Sequence, residues 1–317
     1  MPVSKRPTSS RIVLLLVFLT LAACSLLTGD DPRWDTDVPR SASSDAWLGT
    51  WGPAGNRIAF VHTPDSADVT EPGSTNQLWT YNLETDTMRR VMPGPLFTPH
   101  WSPSGDRLVF HSPIPQYLFT VGTDGKSLRQ LTGPDSPNPD LENTVIGKWS
   151  PSGDRILFSV EAGEKSGIYT MKPDGSDVKK LVGWSLMPAW FPSGERITYI
   201  DFDASDNRQV YIIEADGTNQ RKLTTLKNSR DVGWPSVSPS GEQIAFTYDD
   251  QIYLMSADGT NVGQVTGGEG FAAKPSWSPS GEKILFFRRF TNRGYRSLFL
   301  LDVQTLEVEP VFPAEGR

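Results

Sequence analysis

The feature that most constrains the 317-residue sequence is a ten-residue segment that occurs six times. The copies are WGPAGNRIAF (51–60), WSPSGDRLVF (101–110), WSPSGDRILF (149–158), WFPSGERITY (190–199), VSPSGEQIAF (237–246) and WSPSGEKILF (277–286). Their prolines are spaced 50, 48, 41, 47 and 40 residues apart. Spacings of about 45 residues are typical of the four-stranded blades of a β-propeller. The sequence therefore predicts six equivalent structural units.

Each segment has the pattern of a tight hairpin. In S-P-S-G the proline fixes φ at the second position of a type I turn, and the glycine closes the turn. The residues that follow are apolar at successive positions, as in Ile156-Leu157-Phe158. Such a run predicts a strand buried on both faces, as it would be between two stacked blades.

A second hairpin follows each segment. The four interior repeats carry Asp-Gly, a strong hairpin signal, at 124–125, 174–175, 216–217 and 258–259. The first and last repeats use 82–85 and 302–305, where side-chain oxygens can bond the backbone of the turn. The 28 glycines and 26 prolines also argue against a helical bundle. We predict an all-β fold over residues 46–313, a six-bladed β-propeller with four antiparallel strands in each blade.

A glycine or proline lies two residues before every segment, namely Gly49, Pro99, Gly147, Pro188, Pro235 and Pro275. Proline cannot donate to a β-ladder and is confined to sheet edges. The recurrence predicts that the first strand of each blade is innermost and has one unpaired edge facing a central channel. The alternative is that these positions belong to a loop before the strand.

The W-S-P-S-G-[DE]-[RK]-[IL]-x-F segment, paired with I-Y-x-M-x-x-D-G, resembles the repeat of the TolB-like propellers of the bacterial Tol-Pal envelope system. The resemblance covers essentially the whole chain beyond a short tether. It implies a WD-repeat-like, six-bladed propeller that binds protein partners in the periplasm. The α/β domain that precedes the propeller in TolB has no counterpart in residues 24–45, so we expect the propeller without that domain.

The first 24 residues have the pattern of an export signal. Lys5, Arg6 and Arg11 precede a 12-residue apolar run at 12–23, which is too short to span a bilayer comfortably and suits a signal peptide. The run ends in LAAC at 21–24, which resembles the lipobox of bacterial lipoproteins. We therefore expect residues 1–23 to be a lipoprotein signal peptide.

Cys24, the single cysteine of the chain, occupies the position that is acylated in a lipobox. Residues 24–45 are polar and rich in Ser, Asp and Pro, which predicts a flexible tether between lipid and propeller. Ser25 after the cysteine favours the outer membrane in a cell that has one, by analogy with lipoprotein sorting. The alternative is a cleaved signal peptide or an uncleaved anchor whose cysteine is incidental.

Charge excludes one class of partner. Without residues 1–23 the chain has 27 Lys plus Arg against 37 Asp plus Glu, a net charge of −10. An acidic exported protein lacks the basic face that nucleic-acid phosphates require, so we expect no nucleic-acid partner.

The candidate binding surface is the face opposite the short repeated turns, because variable loops on a rigid scaffold are where binding is usually found. Residues beside the Gly/Pro position should line the channel mouth there and contact a protein or peptide; they are Thr98, His100, Lys148, Met187, Trp234 and Lys274. Trp234 could instead pack between blades, as we expect of the tryptophans that begin the repeated segments. Arg288 and Arg289, in the arginine-rich stretch 288–296, could recognise a carboxylate or phosphate on a partner.

The sequence offers little for catalysis. It has no G-x-S-x-G elbow, P-loop or dinucleotide fingerprint, and its cysteine lies at the lipidation position. The three histidines, His62, His100 and His111, fall near the channel mouth and could hold a metal, but their spacing matches no metal motif. We predict a monomeric, non-enzymatic propeller without a cofactor. The alternative is an extracytoplasmic glycan-binding protein, or a metal-dependent polysaccharide lyase or hydrolase built on a propeller.

Overall fold

The computed structural model of the protein describes residues 45–63, 76–113, 115–227, 231–268, 270–290 and 296–312. The signal segment, Cys24 and nearly all of the tether lie outside these described residues. In the described ranges the strands form six sheets of four strands each. A turn of 3-10 helix at Gly163–Lys165 precedes a strand of the third sheet. No helix in these ranges has the length and apolar character needed to cross a membrane.

The first three sheets follow one another along the chain. Blade 1 contains β1 (Asp45–Trp51), β2 (Arg57–Thr63), β3 (Gln77–Asn82) and β4 (Thr87–Pro93). Blade 2 contains β5 (Phe97–Trp101), β6 (Arg107–His111), β7 (Leu118–Gly122) and β8 (Arg129–Gln130). Blade 3 contains β9 (Thr144–Trp149), β10 (Ile156–Val160), β11 (Gly167–Met171) and β12 (Lys179–Gly183).

The remaining three sheets repeat the same order. Blade 4 contains β13 (Leu186–Trp190), β14 (Arg196–Phe202), β15 (Arg208–Glu214) and β16 (Arg221–Lys222). Blade 5 contains β17 (Gly233–Val237), β18 (Gln243–Tyr248), β19 (Gln251–Ser256) and β20 (Gly263–Gln264). Blade 6 contains β21 (Phe271–Trp277), β22 (Lys283–Arg289), β23 (Arg296–Asp302) and β24 (Val308–Pro310).

Within every blade the spatial order of the strands is their order in the chain, and neighbours are antiparallel. The six first strands (β1, β5, β9, β13, β17 and β21) each lie at an edge of their sheet and contact one another in a circle. The fold is therefore a six-bladed β-propeller, and the first strand of each blade is the innermost one. Both predictions from the repeats are confirmed.

The repeated turns have the expected hydrogen bonds. In S-P-S-G of blade 2 the N–H of Gly105 donates to the carbonyl of Ser102 at 2.9 Å. The hydroxyls of Ser102 and Ser104 donate to the Asp106 carboxylate at 2.9 and 2.5 Å. The second hairpin turns over residues 122–125, because the Gly125 N–H donates to the Gly122 carbonyl at 2.9 Å. Asp-Gly thus occupies the last two positions of a four-residue turn, and Gly125 has the left-handed φ of 82° that glycine tolerates.

The core lies between adjacent blades rather than in one central mass. Val109 and Leu118 of blade 2, for example, share a fully buried cluster with Ile156 and Phe158 of blade 3. The tryptophans of the repeated segments tie neighbouring blades together as expected. The indole N–H of Trp101 donates to the Thr50 carbonyl of the preceding blade at 3.3 Å.

The ring closes by packing between blades 6 and 1. Strands β1–β4 form one sheet and β21–β24 form another, so each terminal blade is built from consecutive strands. Aromatic contacts fill the seam: the ring of Phe312, just after β24, lies 5.3 Å from Phe60 and 5.2 Å from Tyr81, centroid to centroid. The backbone N–H of Trp51 also donates to the Ser276 hydroxyl at 3.4 Å. Side-chain contacts therefore hold this seam.

Candidate functional site at the channel mouth

A β-bulge interrupts every innermost strand at the same place. In blade 1, Trp47 pairs with Val61 and Thr50 pairs with Ala59, so Leu48 and Gly49 together oppose Phe60. The same shift occurs in the other five blades. The first bulge residue has a left-handed backbone in each case: Leu48 (φ 55°), Thr98 (47°), Ile146 (57°), Met187 (53°), Trp234 (54°) and Lys274 (57°). A left-handed φ is uncommon outside glycine, and its sixfold recurrence marks a built feature of the channel.

The second bulge residue explains the Gly/Pro position of the sequence. A methyl carbon placed on Gly147 would lie only 2.7 Å from Cγ2 of Val109 in the preceding blade. On Gly49 it would lie 2.8 Å from Cδ2 of Leu285. The bulge brings the backbone close to the neighbouring blade, and glycine, which has no side chain, leaves room for that blade's side chains. Proline is tolerated there because this edge of the sheet needs no backbone donor.

Bulges re-aim side chains, and here they direct several into the channel. A cavity of about 90 Å³ at the upper end of the channel is lined by residues of the innermost strands of five blades. Five of the six residues predicted at the mouth line it: Thr98, His100, Lys148, Trp234 and Lys274. Met187 is not among the lining residues; its sulfur accepts the Trp234 N–H at 3.4 Å, which joins blades 4 and 5. The repeated tryptophans and prolines line the lower part of the channel.

Two lysines give the mouth its charge. Lys148 of blade 3 is half-buried in the channel, and burial lowers its pKa to about 8. Burial also lowers the pKa of Lys274 of blade 6 well below its usual value, and the charges of Lys148 and Arg296 lower it further. Within the described ranges, no carboxylate lies at ion-pairing distance from either ammonium group.

Two cations contact the faces of aromatic rings. The ammonium nitrogen of Lys274 lies 3.6 Å from the centroid of Trp234, and Cζ of Arg296 lies 3.7 Å from that of Trp47. These are close cation–π contacts. Sequence reasoning did not single out Trp47 or Arg296. Arg296 belongs to the arginine-rich stretch 288–296 and begins β23; it is not among the residues that line the cavity, but its charge acts on Lys274.

The histidines occupy three different environments. The Nδ1–H of His100 donates to the Trp101 carbonyl at 3.1 Å, while burial and the Lys148 charge lower the pKa of His100 to about 3. In His111, Nδ1 lies 2.7 Å from the Thr98 hydroxyl, and burial lowers its pKa to about 3 as well. The His62 ring packs edge-on against Trp79, 5.8 Å between centroids. Among the described residues no group of three His, Cys, Asp or Glu side chains is placed to hold a metal ion.

The two arginines predicted to contact a partner lie on β22, outside the set that lines the cavity. The guanidinium of Arg288 donates to the Gly267 carbonyl at 2.9 Å and lies 5.6 Å from the Phe286 ring. Arg289 is exposed, with Cζ 5.9 Å from the Phe271 ring. They lie on the surface of blade 6, apart from the channel cations.

The architecture and the site together define a six-bladed β-propeller whose channel mouth is cationic and aromatic. Comparison with known proteins shows which propellers the chain is similar to. Residues 178–310 match the family model described as the TolB beta propeller domain. A TolB homolog of Chlorobium luteolum is 27% identical over 173 residues, which are 52% of this chain and 38% of that protein. The chain thus spans about two fifths of the length of this relative.

Solved structures agree with this match. A putative TolB from Agrobacterium tumefaciens has 25% sequence identity and a TM-score of 0.61, over 73% of this chain and 86% of that one. These similarities support a TolB-like propeller. An oligogalacturonate lyase in complex with manganese shares the fold alone, with 12% identity and a TM-score of 0.55 over 83% of this chain and 91% of that one. Some propellers of this shape are therefore enzymes.

Proposed function

We propose that the protein is a monomeric, non-enzymatic scaffold that is anchored by a lipid in the bacterial cell envelope. It holds a protein or peptide partner at the mouth of its channel. The observation that carries the proposal is the convergence of Lys148, Trp234 and Lys274 from three blades on one open cavity. Tryptophan is among the residues that anchor binding partners most strongly, and ammonium groups add electrostatic attraction for a partner of opposite charge.

The size of the mouth indicates what enters it. A cavity of about 90 Å³ admits a side chain or a chain end, while the rest of a partner stays on the upper face. The match to the TolB beta propeller domain supports a protein partner in the envelope. The polar side chains that line the mouth are Lys148, Lys274, His100 and the hydroxyls of Thr50, Thr98, Ser236 and Ser276, all of which can form hydrogen bonds with a partner.

Site-specific photo-crosslinking in the native envelope tests the binding role. A photoreactive residue at Thr98, on the mouth, should give a discrete crosslinked protein band, and the same residue at Asp124, on a lower-face turn, should not. The band should weaken when Trp234 is replaced by alanine. Crosslinks of equal strength from both positions, or none from Thr98, would contradict a partner at the mouth.

Anchoring is tested separately at Cys24. The proposal predicts that Cys24→Ala releases the propeller from the membrane fraction and that incorporation of labelled fatty acid is lost. Ser25→Ala, next to the acylated position, is the matched control and should stay membrane-bound. A Cys24→Ala protein that still sediments with membranes would rule out the lipid anchor and leave the crosslinking result unaffected.

A further inference from the structure

We propose that the channel mouth is a carboxylate site, in which one carboxylate of an acidic peptide segment binds between the ammonium groups of Lys148 and Lys274. The inference rests on the proposed function, because it names the chemistry of the part of the partner that enters the channel. The carboxylate can be an Asp or Glu side chain or the carboxyl end of the partner. The two sources share one chemistry, and the experiment below separates them.

The two lysines approach the channel from opposite sides of the ring. Lys148 is on β9 of blade 3 and Lys274 is on β21 of blade 6, three blades away in a ring of six. Both line the same cavity. Because their positive charges repel one another across it, the space between them has a positive potential that favours an anion.

Among the residues that the structure describes, no carboxylate is paired with these lysines to neutralise this potential. The other polar groups that line the cavity are the neutral His100 on β5, the indole of Trp234 on β17 and four hydroxyls, those of Thr50, Thr98, Ser236 and Ser276. The positive charge of Arg296 on β23 acts on Lys274 from outside the lining. In the described part of the chain neither lysine forms an ion pair. Both lysines are half-buried, and a charge that is partly removed from water without a counter-charge is costly. An incoming carboxylate would supply the missing counter-charge to both lysines at once.

The indole ring fixes the direction of Lys274. With its nitrogen 3.6 Å from the Trp234 centroid, the ammonium group lies against one aromatic face and keeps its other donors for the cavity. A pre-positioned cation loses little side-chain entropy when an anion binds. The cavity of about 90 Å³ exceeds the roughly 10–15 Å³ that one water molecule needs, so it has room for a carboxylate group.

The test uses formate as the probe, with neutral formamide as its isostere, and follows the ammonium NMR signals of the full propeller labelled with ¹⁵N-lysine. Formate should shift the signals of Lys148 and Lys274 along a saturable curve, and formamide should leave them in place. Lys148→Met and Lys274→Met should each weaken formate binding about tenfold or more. The matched control is Lys126→Met, an exposed lysine on a lower-face hairpin, which should bind formate like the unaltered chain. Shifts that never saturate, or that formamide reproduces, would overturn the proposal, and the titration of the unaltered chain decides this without any variant.

Two five-residue peptides then compete with formate: one has a single Glu and blocked ends, the other has neutral side chains and a free carboxyl end. Displacement by the first assigns the site to an acidic side chain, and displacement by the second assigns it to a chain terminus. Displacement by neither contradicts a peptide carboxylate. Formate binding without a crosslink from Thr98 would refute the proposed function alone, and a crosslink without formate binding would refute this inference alone.

Discussion

Lys274 and Trp234 occupy equivalent bulge positions in adjacent blades, and the ammonium nitrogen of one lies 3.6 Å from the ring centroid of the other. Their backbones share the left-handed conformation, with φ of 57° and 54°. Because the bulge repeats with the blade, neighbouring bulge residues can meet across the blade boundary. A local irregularity of the backbone therefore creates a pairwise contact at the mouth of the channel.

This contact should appear as a coupling energy. We expect Trp234→Leu and Lys274→Met to be non-additive in urea unfolding, with an interaction of about 0.5–2 kcal/mol in a double-mutant cycle. The control pairs Lys274→Met with Trp184→Leu, because Trp184 is 70% exposed and is not part of the channel lining. Additive effects in the Trp234 cycle would show that the ring and the ammonium group do not stabilise one another.

Lys148 should make stability depend on pH in the alkaline range. Its pKa is about 8 in the folded protein and 10.5 in the absence of burial. Below pH 8 both states hold the proton, and the folded state bears the full cost of burying the charge. Between these two values the unfolded chain binds more protons, so this group makes stability rise with pH. Lys148→Met should remove that rise and raise the free energy of unfolding at pH 7 by on the order of 2 kcal/mol.

Urea titrations at pH 7 and pH 10 measure this effect. The gap between Lys148→Met and the unaltered chain should be large at pH 7 and narrow at pH 10. The exposed Lys126→Met variant should show no gap at either pH. A Lys148→Met protein that is less stable than the unaltered chain at pH 7 would mean that the lysine has a stabilising partner in the channel.

Gly147 is the glycine whose replacement should be most informative about the bulge. A methyl group there would lie 2.7 Å from Cγ2 of Val109 and 3.2 Å from Cδ2 of Leu118, both buried in blade 2. Gly147→Ala should therefore cost about 1–3 kcal/mol through overpacking. Gly183, in β12 of the same blade, has no atom within 4 Å of such a methyl group, so Gly183→Ala should leave the urea midpoint nearly unchanged. Equal midpoints for both variants would show that the innermost strand is not pressed against its neighbour.

The repeats made the overall fold predictable, because each blade carries its own turn chemistry and hydrophobic strand pattern. Pro103 and Gly105 specify one turn, and the Asp-Gly pair at 124–125 specifies the next. The Gly/Pro position also placed the innermost strand correctly, since a proline there needs a free sheet edge. These signals are local, and local signals can be read from one sequence.

The chemistry of the mouth was only partly predictable. The six residues at the left-handed bulge position differ in type and include Leu48, Ile146 and Lys274. No sequence pattern therefore predicted their conformation. Lys148 and Lys274 were predicted at the mouth, but their convergence from opposite blades is a property of ring closure. The contact between Arg296 and Trp47 joins the last blade to the first. The two residues are far apart in the sequence, so no local motif predicts the contact.

That seam between blades 6 and 1 supports the last prediction. Phe312 is half-buried against Phe60 and Tyr81, and the two blades are joined by side-chain packing. Phe312→Ala should lower the free energy of unfolding by about 2 kcal/mol, less than the loss for a fully buried phenylalanine. Val308→Ala, on β24 and 38% exposed, should change it by less than about 0.5 kcal/mol.

The variant should also open the ring at one place. Because the loss is confined to the seam, amide hydrogen exchange in β1 should become faster in Phe312→Ala, while exchange in β13, on the far side of the ring, should change less. The comparison is made at a urea concentration where both proteins remain folded. Equal acceleration in β1 and β13 would mean that the ring opens cooperatively, and that the seam is as stable as the other five blade boundaries.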